Sequence, residues 1–146
     1  SKWNMKKFDR NHEAYVMDLR SAVVFIPDDR HCFFFREESY HRPEDKELYH
    51  KIIDALKFES DDQFRIEVLP SDHFIHIQWE GKTKSNVRFV FFGIRPSEIH
   101  LNGFDKKHHI YYLNDFSLMF ADEASFYKEN ASRKLLWTVL QALFNK

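Results

Sequence analysis

The sequence predicts an α+β domain, an antiparallel meander packed against two helices at about 43–58 and 124–144. Three observations carry this. Sixteen phenylalanines stand among 146 residues with only three glycines and four prolines, and aromatic rings suit pleated, half-buried surfaces. Two segments place apolar residues at helical spacing. Between and before them run short apolar or alternating stretches joined by brief turn-like linkers, the pattern of strands in sequence order. At this length the chain fits one domain, residues 1–146, with a core large enough to hold itself together.

The elements follow in order. Residues 13–20 extend a first strand or form a short helix; their periodicity does not choose. Residues 22–26 and 32–35 are apolar runs separated by "PDDR", which is turn chemistry, so a hairpin is expected over about 22–36. "RPEDKELYHKIIDALKF" reads as a helix. Pro43 suits its first position and Glu44, Asp45 and Glu47 its positive N-terminal end. Leu48, Tyr49, Ile52, Ile53 and Leu56 then make one apolar stripe.

Strands are expected at 64–69, 73–79, 87–92, 98–102 and 108–113. "FRIEVL" and "HFIHIQW" alternate, whereas "VRFVFF" is apolar on both sides apart from Arg88 and reads as central or covered. In the last helix, capped by Asp122 or Ser125, Leu136, Val139, Leu140 and Leu143 form the main stripe. Trp137 and Phe144 widen it, either around the core edge or as a patch for another chain, so that a homo-oligomer is compatible with the sequence.

Composition narrows function by exclusion. No GxGxxG or GxxxxGK[ST] pattern occurs, which disfavours a nucleotide fold and implies no cofactor. The net charge of −1 gives little overall attraction to nucleic acid or to anionic membranes. The single cysteine, Cys32, forbids an internal disulfide and a cysteine-rich zinc site, and is read as a buried structural thiol. No HExxH occurs, and His108 and His109 would point to opposite faces of a regular strand, so no metal is expected. No apolar run approaches a membrane span, and the basic start "SKWNMKKFDR" lacks a signal peptide's apolar stretch. The expected location is cytoplasmic.

Two functional expectations remain. Residues 28–62 carry eleven acids against six bases, an acidic flank that favours a basic partner. Glu37, Glu38, Asp61 and Asp62, with Trp137 and Phe144, are the candidate partner-binding residues. A small, single-domain, motif-free chain of this kind has the profile of a bacterial immunity protein that neutralises a toxin. The first expectation is therefore a non-catalytic protein-binding domain whose partner is a basic toxin domain. The alternative is a small metal-independent ribonuclease or other acid–base enzyme. It would use His76, His100, Glu67 and Arg88 on the polar sheet face: imidazoles move protons near neutral pH, and a guanidinium stabilises phosphorane charge.

Overall fold

The computed structural model describes residues 21–71, 73–81 and 86–146; the expectation for residues 13–20 lies outside them. The described strands are β1 (Ser21–Ile26), β2 (His31–Arg36), β3 (Phe64–Leu69), β4 (Phe74–Trp79), β5 (Val87–Phe92), β6 (Tyr111–Tyr112) and β7 (Phe116–Ala121). Three α-helices accompany them: the short α1 (Glu37–Tyr40), α2 (Pro43–Ala55) and α3 (Asn130–Leu143). The α+β composition stands, but the sheet is mixed.

The main sheet has the order β3-β2-β5-β7-β6. Its first four strands are parallel, and only β6 runs antiparallel, against β7. A second, two-stranded sheet pairs β1 with β4 in parallel. The antiparallel meander is thus corrected. So is the hairpin over 22–36, because β1 and β2 belong to different sheets. The "PDDR" linker steps between layers rather than folding back. Asp28 accepts hydrogen bonds from the backbone and side chain of Arg30 and from Arg65, and its carbonyl accepts one from the Trp79 indole.

Two further strands expected from the sequence are not found as such. Residues 96–99 form a 3-10 turn started by Pro96, and His100 ends it in the left-handed region at φ 60°. Of 108–113, only Tyr111–Tyr112 is strand, and His108 has φ 57°. The opposed-face argument for His108 and His109 therefore does not apply. The last helix begins at Asn130, after a separate 3-10 turn over Ala124–Lys128, so neither Asp122 nor Ser125 caps it.

The sheet buries a different cluster on each face. On one side lie Phe34, Phe89, Phe91, Leu118 and Phe120 with Ile75, Ile77 and Trp79 of β4. On the other lie Phe33, Phe35, Val90, Phe92 and Met119, covered by Tyr49 and Ile53 of α2 and Leu136, Leu140 and Leu143 of α3. Parallel register explains the wealth of phenylalanine. Phe34, Phe91 and Phe120 are lateral neighbours on β2, β5 and β7. Their rings stack at 4.4 Å and 4.9 Å, and Phe35 stacks on Phe92 at 5.1 Å. Each such pair adds about 0.5–1.5 kcal/mol beyond the area it buries. Cys32 is fully buried among these residues, and burial pushes its thiol pKa well up.

Candidate functional site

Of the four residues in the acid–base reading, the fold brings two together. His76 lies on the outer face of β4, because Ile75 and Ile77 on either side of it turn inward. The left-handed turn at His100 sets the second imidazole over the first, with centroids 4.2 Å apart and planes within 16°. Phe74, two residues before His76 and therefore on the same face, stacks on His100 from 5.7 Å. The result is a packed run of three rings, with His76 only 7% exposed.

Glu67 and Arg88 go elsewhere. Glu67 pairs with Phe34 in register, which puts it on the β4 side of the main sheet. There it accepts from Arg65 at 2.7 Å. Arg88 points to the helical side instead, between Val87 and Phe89, which face β4. It donates to the carbonyl of Leu143 at 2.6 Å and to that of Asn86 at 2.9 Å. It also lies over the Phe144 ring. A guanidinium on the last carbonyls of a helix satisfies orphan acceptors and complements the helix dipole. Arg88 is a clip for α3. Its own backbone N–H donates to His31 Nδ1 at 3.1 Å.

The predicted partner-binding set is also divided. Glu37 and Glu38 follow the carboxyl end of β2, whereas Asp61 and Asp62 precede β3. These strands are parallel, so the two acidic pairs sit at opposite ends of the sheet, about 17 Å apart over five strand steps. All four are exposed, and Glu37 accepts from the Ser71 amide at 3.3 Å. Phe144 is only 7% exposed and packs on Phe33 at 5.7 Å, with His31 and Phe58 against its edges and face. It belongs to the core cluster on the helical side of the sheet. Trp137 is half-buried on the same core and borders an open groove.

A third location was not foreseen. The chain adds β3 on one side of β2 and β5 on the other, and the carboxyl edge at such a reversal is where parallel sheets commonly hold ligands. Here that edge carries a closed polar network. Arg36 donates to both oxygens of Glu98 at 2.6 Å and to the carbonyl of Gly93 at 3.0 Å. Glu123 bridges Arg36 at 3.7 Å and Arg42 at 3.5 Å. Ser39 donates to Asp45 at 2.8 Å and accepts from the Tyr49 hydroxyl at 2.6 Å. The Tyr49 and Tyr127 hydroxyls accept from the amides of Ala124 and Asp122. Burial raises the pKa of both phenols.

Gly93 is required at this edge. Its φ is +72°, and a Cβ there would stand 2.3 Å from Cγ of Glu123. His108 bonds Tyr127 at 2.6 Å, and burial lowers its pKa. An open hollow of about 420 Å³ lies beside the network, lined in part by Arg95, Lys107, Asp122 and Phe126. Lys107 and Asp122 are already an ion pair. Two sequence signals pointed here: a glycine directly after the apolar "VRFVFF" and the acids directly after "FSLMFA".

The other opening lies between α2 and α3. Leu48, Ile52 and Ala55 of α2 face Leu136, Trp137 and Leu140 of α3 across a groove of about 430 Å³. The ionisable side chains lining it are Lys51, Arg133 and Lys134, all cationic. Arg133 is held in place by donating to the carbonyls of Tyr127 at 3.1 Å and Lys128 at 3.0 Å. Among the described residues, no three His, Cys, Asp or Glu side chains are grouped to hold a metal ion, and no helix is long and apolar enough to cross a membrane. Comparison of the chain with family models, with curated proteins and with solved structures found no match.

Proposed function

We propose that this chain is a non-catalytic protein-binding domain. The observation that carries the reading is the groove between α2 and α3: an apolar floor that includes Trp137, rimmed by basic side chains. Tryptophan and arginine are the residues that most often anchor protein interfaces. The separation of the acid–base residues supports the same reading. His76 and His100 sit in a ring stack, Glu67 is held by Arg65, and Arg88 is spent on the end of α3 on the other face. Acid–base catalysis would need these groups around one reacting atom.

Within this class, a bacterial immunity protein that neutralises a toxin is the concrete instance suggested by the chain's size and lack of catalytic motifs. A basic toxin domain would meet Glu37 and Glu38 at one end of the sheet or Asp61 and Asp62 at the other. The experiment is reconstitution: a chain that co-purifies with the domain is produced separately, and the two are mixed and sedimented. A stoichiometric complex of purified chains supports the reading. Phosphodiester cleavage by the isolated domain, abolished in His100→Ala, would replace it with the enzymatic one.

A further inference from the structure

We propose that the groove between α2 and α3 takes an amphipathic helix of the partner whose flanks are acidic, an inference that rests on the protein-binding reading. Helices that share one sheet face normally pack on each other at about 8–10 Å. Here α2 and α3 both cover the second cluster yet make few close backbone approaches to one another. Their facing side chains leave Leu48, Ile52 and Trp137 only partly buried. Leu48, Ile52 and Ala55 are spaced at i, i+4 and i+7, the spacing that meets a ridge of apolar residues on another helix. A helix seated along the groove would cover these half-buried side chains.

Charge then selects the occupant. Lys51, Arg133 and Lys134 line the groove without a carboxylate among them. Lys51 is paired with Glu47 at 3.2 Å, but both side chains are about 70% exposed. Such a pair is worth little and exchanges readily for an incoming acid. Arg133 is oriented by two backbone carbonyls rather than by an acid, so its charge stays available. A helix flanked by glutamate or aspartate is therefore attracted and held in register, and one flanked by lysine is repelled.

The test uses three labelled peptides of one length. One carries leucines at i, i+3, i+4 and i+7 with glutamates beside them, the second has lysines in place of the glutamates, and the third scrambles the first. Anisotropy titrations are run with the whole chain at two salt concentrations. The acidic peptide is expected to bind best, more weakly at high salt, and about tenfold more weakly to Lys51→Glu/Lys134→Glu, whose surface changes leave folding intact. Equal binding of the acidic and basic peptides, no preference over the scrambled one, or affinity unchanged by the charge reversals would overturn the proposal. Concentration-dependent self-association abolished by Lys134→Glu would overturn it too, assigning the groove to a second copy. The two readings fail separately. A reconstituted complex that survives Lys51→Glu/Lys134→Glu ends this inference and leaves protein binding standing, whereas absence of any reconstituted complex ends the broader reading.

Discussion

His31 should make the fold measurably weaker as the solution turns mildly acidic. Its ring sits edge-on to Phe144 at 5.2 Å and tilted against Phe58, and its Nδ1 accepts the Arg88 amide. Burial first, then the positive charges of Arg88 and Lys146, lower its pKa from 6.5 to about 4. The folded chain therefore keeps this imidazole neutral, while the unfolded chain protonates it below its ordinary value. Between about pH 6.5 and 4 the unfolded state binds more protons, so stability falls with falling pH through that window and levels off beneath it.

The interval corresponds to about 3 kcal/mol at most, and the ring's partial exposure reduces this to about 2 kcal/mol. The informative substitution is His31→Asn, whose amide oxygen can take the Arg88 N–H but does not titrate. Urea midpoints of both proteins are measured at intervals from pH 7.5 to 4, and the difference between the two curves isolates His31. Carboxylates and His108 are common to both and cancel. Superimposable pH profiles would refute the reasoning, as would an NMR titration placing His31 near 6.5.

Other substitutions probe the packing and the two polar devices. Leu140, fully buried on the sheet-facing side of α3, should cost about 2–5 kcal/mol when cut to alanine, read by chemical denaturation. Gly93→Ala should cost about 1–3 kcal/mol from its positive φ, with further loss against Glu123. Gly93→Ala/Glu123→Ala should recover the second part but not the first, which a double-mutant cycle measures. Arg88→Met should cost about 1–3 kcal/mol and speed amide exchange in the last turn of α3. If a partner's association is slowed by Glu37→Lys/Glu38→Lys, then Asp61→Lys/Asp62→Lys should leave its rate unchanged, because the pairs lie at opposite ends of the sheet.

The helices α2 and α3 were legible because each keeps one apolar stripe and α2 begins at Pro43, whereas the four-residue α1 has no stripe to mark it. β3 and β4 were legible through alternation, and β5 as an apolar run, each bounded by turn residues. Their partners were not, because alternation reports which side of a strand is buried and says nothing of which strand lies beside it. Short linkers suggested hairpins, yet β3, β4 and β5 alternate between two layers. The strand β7 escaped notice for a different reason: all six of its residues are buried, so "FSLMFA" has no polar beat to mark it. Its one hydroxyl, Ser117, is hidden by donating to Asn86. The unbroken "CFFF" of β2 carried the same information, since a strand covered on both faces is typical of parallel sheets. The carboxyl-edge network was hidden because Arg36, Glu98 and Glu123 are far apart in sequence and meet only through the strand order.

That strand order also sets a schedule for the chain as it leaves the ribosome. β7, the last of the described strands in chain order, is seated in the interior of the sheet between β5 and β6. Until Phe116–Ala121 has emerged, β5 has no neighbour on that side. The stacked face of Phe91 then waits for Phe120. A nascent chain in this state presents an apolar parallel edge, which is the kind of template on which other chains misassemble. Stalled or truncated products ending before residue 116 should therefore be sticky, because the strands before it depend on Phe116–Ala121 to cover the β5 edge.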